Sequence, residues 1–245
     1  MPDELSALPD LASYEAVLFD LDGVLTPTAE VHMHAWRVMF EKLFADWNIT
    51  PPYSDADYYE YLDGKRRYDG VASLLRSRDV EVPWGEPSDA PTVDTVSGIG
   101  NRKNAVFTQV LESDGIAAYP GSLALVERLR SAGVPVAVVS SSKNAEDVLK
   151  AAGIRDLFPV VMDGVIAERD NLTSKPAPDV FLEAARMLGV DPARSVAVED
   201  ALSGVQSAAA GRFAVVVGVD RGTGADKLRE AGATVVVDDL AAFLD

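Results

Sequence analysis

The chain has 245 residues, of which 22 are Lys or Arg and 39 are Asp or Glu, so its formal net charge is −17. This balance argues against a nucleic-acid or anionic-membrane partner, because no broad basic face could offset it. The hydrophobic fraction of 48% is typical of a folded globular protein, and the absence of cysteine excludes disulfides, thiolate zinc sites and cysteine nucleophiles. No apolar run could span a bilayer and no secretory signal pattern is visible. We expect a cytoplasmic protein, and we expect it to be a monomer.

The first predicted strand is short, and a long segment of different character follows it. Residues 16–20 (AVLFD) combine β-branched and aromatic side chains, as a buried strand does. Residues 28–117 are helical and aromatic in pattern, contain proline-rich interruptions and show no strand pattern. We therefore predict a helical insertion after the first strand, and we expect residues 1–13 to be a loosely held leader.

The remainder of the chain alternates β-branched runs with amphipathic stretches of helical length. Runs that are apolar throughout indicate strands buried on both faces of a parallel sheet. Strands are predicted at residues 134–140, 158–162, 195–199, 214–219 and 234–237, and helices at 145–152, 179–188, 201–210, 225–231 and the C-terminus. Glycines predicted to end helices are Gly133, Gly153, Gly189, Gly211 and Gly232. The pattern predicts a doubly wound, Rossmann-like α/β core formed by residues 1–27 and 118–245, with an all-helical cap at 28–117.

Polar residues follow several predicted strands, at the edge where an open parallel sheet binds its ligands. The first strand ends in Asp20-Leu21-Asp22-Gly23, the second in Ser140, and a later one in Glu199-Asp200. Lys175 precedes a Pro-Ala-Pro turn and a helix. Any one of these residues could be a helix cap, as Asp200 could be for the helix after it. Four segments that meet at one edge indicate a site instead.

The residue types at this edge favour phosphoryl transfer. Clustered carboxylates repel one another unless a hard cation neutralises them, and Mg²⁺ prefers oxygen ligands and is shared with phosphates. A carboxylate such as Asp20 can attack phosphorus, and Asp22 lies on the same side of the strand end as a general acid and base. Ser140 and Lys175 offer donors to a transferring phosphoryl group. The segment Asp20–Gly23 could alternatively be the start of a calcium-binding loop, but the third acid and the closing Glu of such a loop are missing.

These segments resemble, in order, the four motifs of the haloacid dehalogenase superfamily of phosphotransferases. The resemblance implies that Asp20 is the nucleophile and a Mg²⁺ ligand, and that Asp22 is the acid/base and lends its backbone carbonyl to the metal. It also implies that Glu199 and Asp200 complete the metal site, and that Ser140 and Lys175 hold the transferring phosphate. The second Asp belongs to the phosphotransferase branch, so the resemblance points away from dehalogenation.

A narrower likeness extends into the insertion, which resembles the cap of the β-phosphoglucomutase subfamily. The segment Thr28-Ala29-Glu30 with His32 is similar to the start of that cap, and residues 62–67 (LDGKRR) are similar to its phosphate-binding loop. The stretch at residues 80–100 departs from this likeness, because it makes the cap longer and richer in proline than is usual in the subfamily. The substrate-binding residues that the likeness implies are His32, Gly64, Lys65, Arg67, Lys103, Ser142, Lys143 and Asn144.

Simpler interpretations exist for the cap residues. His32 and His34 lie two apart on a helix, face different sides and cannot form a two-histidine metal site. Residues 65–67 could be a solvated run of charge, although in so acidic a chain a local basic cluster suits a phosphate dianion. Residues 101–104 could mark a helix start with Asn as its cap. Trp36 is expected in the cap core rather than against a ligand.

The predicted function is Mg²⁺-dependent transfer of phosphate between the C1 and C6 oxygens of a hexose through phosphorylated Asp20, which converts β-glucose 1-phosphate to glucose 6-phosphate. The partner is then a small-molecule sugar phosphate, with neither nucleic acid nor membrane involved. One alternative is a sugar-phosphate or small phosphate-ester phosphatase, in which water attacks the aspartyl-phosphate. A second alternative is a non-catalytic sugar-phosphate binding protein.

Overall fold

Residues 8–244, the part of the chain that the computed structural model describes, contain a six-stranded parallel sheet. The strand order is β3-β2-β1-β4-β5-β6. The strands are β1 (Val17–Phe19), β2 (Val136–Val139), β3 (Val160–Met162), β4 (Val196–Glu199), β5 (Val215–Val219) and β6 (Val235–Val237). Every residue of β1 to β5 is buried, which confirms the interpretation of the apolar runs as parallel strands covered on both faces.

Helices cover both faces of the sheet and also form the long segment between β1 and β2. That segment contains α1 (Thr28–Asp46), α2 (Asp55–Asp57) continued by a π-helical turn (Tyr58–Leu62), α3 (Arg67–Arg76) and α4 (Val96–Asp114). The core helices are α5 (Pro120–Ser131), α6 (Ala145–Ala151), α7 (Gly164–Arg169), α8 (Asp179–Leu188), α9 (Leu202–Ala210) and α10 (Ala225–Ala231). The fold class is therefore the predicted one, a Rossmann-like α/β core with an inserted helical cap; the residue boundaries assigned to the two domains stay predictions.

Three hydrophobic clusters hold this architecture together. One packs α5 and α6 on one face of the sheet through residues such as Leu129 and Leu149. A second packs α8 and α9 on the opposite face, through Phe181 and Val205 among others. The third lies wholly within the cap, where buried aromatic and aliphatic side chains include Phe40. The cap thus has a core of its own, and it joins the sheet through two chain crossings and through Ala35 and Phe107, which belong to the first cluster.

The central position of β1 determines where a ligand can bind. Val17 of β1 is paired on one side with Val136 of β2 and on the other with Val196 of β4. The order of strands along the chain reverses here, and the connections diverge to opposite faces, which leaves a crevice at the carboxyl ends of β1 and β4. The cap begins directly after β1, so it lies over that crevice.

Several local predictions need correction. Helix α7 was not predicted, α5 was predicted only through its end at Gly133, and the C-terminal helix is a 3₁₀ turn (Leu240–Phe243). The prediction that a helix ends at Gly211 is confirmed, since Gly211 is the C-cap of α9, but its φ is a right-handed −72° and Arg212 takes the positive φ of 59°. The other four glycines expected at helix ends do have positive φ.

The leader prediction is wrong for its second half. Residues 1–7 lie outside the described part of the chain, but Leu11 is buried against the sheet in a 3₁₀ turn (Leu11–Ser13). The alternative of a helix start at residues 101–104 is also wrong, because α4 already begins after Thr95, whose hydroxyl accepts a hydrogen bond from the amide of Gly98 at 3.0 Å. Asp200 is not the cap of α9, since Ala201 takes that position.

Within residues 8–244, none of the helices combines the length and the apolar character that a membrane crossing requires. The expectations of a cytoplasmic location and a monomeric state stay predictions.

Candidate active site

A buried lysine joins the ends of the two central strands. The Nζ of Lys175 donates to Oδ1 of Asp20 at 2.6 Å and to Oε1 of Glu199 at 2.5 Å, and it also donates to the carbonyl of Val139. Burial would lower the pKa of Lys175, but the two carboxylates raise it above its ordinary value, so the ammonium stays charged. The lysine therefore holds one positive charge at the meeting point of β1, β2 and β4.

Three carboxylates around this lysine form a compact oxygen cluster. Asp20, Glu199 and Asp200 are all buried, and one ligand oxygen from each lies within 4.8 Å of the others. Burial raises the pKa of Asp20 and of Asp200 well above the ordinary value, and neighbouring carboxylates add to the rise in both. Oxygen donors at this spacing fit a divalent cation such as Mg²⁺, whose charge would relieve the repulsion.

Two glycines make room for the cluster. Gly23 has a φ of +85°, and a Cβ built on it would lie 1.8 Å from Oδ2 of Asp200. A Cβ on Gly204 would lie 1.8 Å from Oε1 of Glu199. Side chains are therefore excluded from both positions, and the loop after β1 and the first turn of α9 can approach the carboxylates closely.

Asp22 lies beside the cluster and is oriented by the cap. Thr28, in the first turn of α1, donates a hydrogen bond to Oδ1 of Asp22, and the Ser140 hydroxyl lies 3.4 Å from its Oδ2. The Nε2 of His32 lies 3.4 Å from the same Oδ1. Burial would raise the pKa of Asp22, but His32, Thr28 and Lys103 outweigh it and hold the pKa below its ordinary value. These contacts thus favour the ionised carboxylate of Asp22.

Lys103 extends this arrangement into the cap. It is only 2% exposed, its Nζ lies 2.5 Å from Nδ1 of His32, and it faces the rings of Trp36 at 5.0 Å and Phe107 at 4.8 Å. Burial, and then the nearby Arg67, lower the pKa of Lys103 well below its ordinary value. Burial and Lys103 in turn lower the pKa of His32. The prediction that Trp36 belongs to the cap core is confirmed, although its ring also borders the site.

A second basic cluster lies where α3, α4 and the loop before α6 meet. Arg67 donates to Oδ1 of Asn104 at 2.7 Å, and the Asn144 amide donates to the same oxygen at 2.7 Å. Lys143 forms an ion pair with Glu168 at 2.6 Å, and its Nζ lies 5.2 Å from the centre of the Tyr68 ring. Arg67, Ser142 and Lys143 all border the same cavity as Asp20 and Asp22. Their donors fit an anion such as a phosphate group.

The cavity lies between the cap and the core, which two hydrogen bonds join. It has a volume of about 260 Å³. The hydroxyl of Ser141 donates to the carbonyl of Gly64 at 2.8 Å, and the hydroxyl of Ser203 donates to the carbonyl of Asp63 at 3.0 Å. Gly64 has a φ of +67°, and a Cβ there would lie 2.3 Å from the Ser203 hydroxyl oxygen. Gly64 is therefore where the cap loop rests on the core.

The structure brings the predicted site residues together around this one cavity, with two differences of detail. Ser140, Lys175 and Asn144 lie just behind its wall, where they contact Asp22, Asp20 and Asn104 respectively. Lys65 borders the cavity, but its ammonium donates to Ser73 at 3.1 Å within the cap, away from the carboxylates. The roles assigned to these residues stay proposals.

Some residues of the site were missed from sequence. Asp63 borders the cavity, and burial, with Glu199 next in importance, raises its pKa to about 7. Its position beside Gly64 in the cap loop was the available signal. Trp84 also borders the cavity, although it lies in the proline-rich segment that gave no site signal. Ser141 and Ser203 could have been noticed only as polar residues near the strand ends.

A parallel sheet whose central strand ends in Asp-x-Asp, with a Lys bridging two acids and a helical cap above, is the arrangement expected of the haloacid dehalogenase-like hydrolases. The chain belongs to this family, whose sequence model matches residues 14–212. It is thus an enzyme of the phosphotransferase and phosphatase type.

Individual relatives narrow the comparison. The chain is 47% identical over 239 residues to a β-phosphoglucomutase of Mycobacterium tuberculosis, which covers 94% of this chain and 91% of the relative. The crystal structure of a β-phosphoglucomutase from Clostridium difficile matches with a TM-score of 0.76 at 26% identity, over 93% of this chain and 92% of that one. A Rhodobacter sphaeroides CbbY variant crystallised with xylulose 1,5-bisphosphate matches with a TM-score of 0.71 at 28% identity, over 93% and 95% of the two chains.

Proposed function

We propose that this protein is a Mg²⁺-dependent β-phosphoglucomutase that converts β-glucose 1-phosphate to glucose 6-phosphate. The observation that supports it most directly is one cavity, lined by both cap and core, with an acidic, lysine-bridged end at Asp20 and a separate basic end at Arg67 and Lys143. A mutase must hold two phosphate groups of one sugar at once, so it needs two such ends. The relatives named β-phosphoglucomutase, and a neighbour that binds a bisphosphorylated sugar, agree with this proposal.

The metal would be held by Asp20, Glu199 and Asp200, with the backbone carbonyl of Asp22 as a further donor. When bound, Mg²⁺ neutralises the charge of the carboxylates and of the transferring phosphoryl group. Lys175 adds a fixed positive charge beside Asp20. It acts with the Ser140 hydroxyl on the outer oxygens of the phosphoryl group, where the transition state spreads its charge.

The chemical steps use Asp20 and Asp22. In the first step the sugar C6 hydroxyl attacks the phosphoryl group on Asp20 while Asp22 takes the hydroxyl proton, which frees the Asp20 carboxylate and gives the 1,6-bisphosphate. The bisphosphate then turns end for end. In the second step the Asp20 carboxylate attacks the C1 phosphorus, and Asp22 returns its proton to the departing C1 oxygen. Glucose 6-phosphate leaves, and Asp20 is phosphorylated again.

The basic end of the cavity holds whichever phosphate is not reacting. Arg67 offers a planar pair of donors that suits a phosphate dianion, and Ser142, Lys143 and Asn144 add further donors on the core side. Both cap and core contribute to this end, so binding of a second phosphate favours the closed cap. A closed cap excludes water, which is the condition for transfer to sugar rather than hydrolysis.

The first experiment is a ³¹P NMR time course with β-glucose 1-phosphate, Mg²⁺ and a trace of the 1,6-bisphosphate. Glucose 6-phosphate without free phosphate supports the mutase. Free phosphate in place of glucose 6-phosphate would make the protein a sugar-phosphate phosphatase that uses the same Asp20. With no reaction at all, binding without catalysis would be the remaining function.

A substitution at the basic end separates the mutase from the phosphatase. Arg67→Ala should abolish mutase turnover and leave hydrolysis of a small phosphate ester within about threefold of the wild type, because only the mutase needs a second phosphate site. Arg76→Ala, an exposed arginine on the same helix, is the matched control. Equal losses of both activities in Arg67→Ala would contradict the assignment of Arg67 to the non-reacting phosphate.

A further inference from the structure

The segment between α3 and α4 is held in one shape by its own hydrogen bonds. The carbonyl of Trp84 accepts a hydrogen bond from the amide of Ser97 at 3.0 Å. Next to it, Gly85 has a φ of +74°, and a Cβ there would lie 2.1 Å from Oδ2 of Asp89, so the turn after Trp84 requires glycine. The Thr95 hydroxyl donates to the same Asp89 oxygen at 2.6 Å. This region has little regular secondary structure but a defined backbone.

The same segment is connected to the basic end of the cavity. The side-chain amide of Asn101 donates to the carbonyls of Pro87 at 3.0 Å and Asp89 at 2.9 Å. Its Oδ1 accepts from the Tyr68 hydroxyl at 3.0 Å and is 3.4 Å from Arg67. Asn101 therefore fixes the segment relative to Arg67.

Trp84 is a large aromatic side chain that the protein leaves half in solvent at the cavity wall. It is 51% exposed, and among the large exposed apolar side chains of residues 8–244 it is the one that borders the cavity. Exposed apolar surface of this kind on a binding cleft marks a contact for a ligand. Arg67 and Lys143, which also border the cavity, are charged and suit a phosphate instead, and the Tyr68 ring beside them is already in contact with both cations.

We propose that Trp84 is a specificity-determining residue that stacks on the apolar face of the substrate's sugar ring. This inference rests on the proposed function, because it takes a hexose phosphate as the ligand. A pyranose ring presents a face of C–H groups that suits an indole plane, and the backbone that carries the indole is already fixed by the Ser97 hydrogen bond and the Gly85 turn, so stacking requires little ordering of the main chain. Contacts to the phosphate group alone do not discriminate between a cyclic and an acyclic sugar phosphate, because both carry the same phosphate. An aromatic side chain that stacks on the sugar ring does discriminate between them.

The test compares two ligands that carry the same phosphate, glucose 6-phosphate and the acyclic sorbitol 6-phosphate. Affinities are measured by isothermal titration calorimetry with Mg²⁺ on the whole protein. Trp84→Ala should weaken glucose 6-phosphate binding roughly 10-fold and sorbitol 6-phosphate binding less than about threefold, since only the ring offers a stacking face. Trp84→Phe should keep most of the preference. Trp47→Ala, a partly buried cap tryptophan that does not border the cavity, is the matched control.

The outcomes separate this inference from the proposed function. If Trp84→Ala folds, as its circular dichroism would show, and loses equal affinity for both ligands or for neither, the stacking role is refuted. If the ring preference depends on Trp84 but the wild type does not isomerise β-glucose 1-phosphate, the inference stands and the mutase assignment falls. If the wild type binds neither ligand, both are overturned.

Discussion

The two serine hydroxyls that join the core to the cap loop allow a quantitative test of how closure controls the reaction. The perturbation is the double variant Ser141→Ala with Ser203→Ala, which removes the hydrogen bonds to the carbonyls of Gly64 and Asp63 at 2.8 and 3.0 Å. A neutral hydrogen bond contributes about 0.5–1.5 kcal/mol net, so the pair contributes about 1–3 kcal/mol to closure. A change of that size shifts the ratio of closed to open forms roughly 5- to 150-fold toward open.

The assay is the partition of phosphate between sugar and water. When the cap opens more often, water reaches phosphorylated Asp20, so the share of free phosphate in the ³¹P NMR time course should rise in the double variant while formation of glucose 6-phosphate slows. Each single variant should show a smaller effect in the same direction. Ser13→Ala, an exposed serine bonded to the carbonyl of Asp10 in the core, serves as the control and should behave as the wild type.

One result would refute this reasoning directly. If the double variant keeps both the wild-type rate and the wild-type ratio of products, the two hydroxyls do not govern closure. A slower reaction with no added free phosphate would also count against it, because it would place the serines in the chemistry rather than in the exclusion of water.

The other predictions concern the acidic end of the cavity. Asp20→Asn should lower turnover by about three orders of magnitude or more and leave the circular dichroism spectrum unchanged, because it removes the nucleophile but keeps the shape. Mg²⁺ should raise the Tm of the wild type by several degrees, and chelation should reverse this, since the cation relieves the repulsion within the carboxylate cluster. The pKa of Asp63 is raised to about 7 in the folded protein, so the folded state binds more protons than the unfolded state between about pH 4 and 7, and this contribution destabilises the metal-free protein as the pH rises through that window. The unfolding free energy, measured by urea titration, should therefore fall less between pH 5 and 8 in Asp63→Asn than in the wild type, by about 1–2 kcal/mol. The full pKa difference would correspond to roughly 4 kcal/mol, but water still reaches the side chain and reduces the effect.

The carboxylate cluster could be predicted from sequence because the carboxyl ends of parallel strands lie at the same edge of a sheet. Once Asp20 and Glu199 are assigned to the ends of parallel strands, the topology places them at one edge of the sheet, whichever helices lie between. The position of Lys175 is less local, since it follows no strand directly and was included because it precedes a Pro-Ala-Pro turn and a helix. Its ion pairs with Asp20 and Glu199 can be deduced only when it is known that β1, β2 and β4 are neighbours in the sheet.

The contacts made by the cap residues of the site cannot be predicted from the periodicity of the sequence. Nothing in the spacing of Lys103 shows that its ammonium would be buried between two aromatic rings beside His32, and its charged side chain would by itself suggest a surface position. Asp63 and Trp84 border the cavity only because of how the cap docks on the core. Docking depends on hydrogen bonds and on apolar contacts, such as that of Phe107 with the sheet cluster, between residues distant in sequence, and single-sequence patterns do not reveal such pairs.

The central place of β1 has a consequence for the order in which the molecule can assemble. During synthesis this strand emerges early, yet Val17 finds its two neighbours only at Val136 and Val196, both in the second half of the chain. The cap helices between them are contiguous in sequence and share their own hydrophobic cluster, so they can fold before either neighbour is made. We therefore expect that in the nascent chain the cap folds while β1 is still unpaired. Formation of the sheet should be the slow step, because it depends on pairings between strands that are distant in sequence.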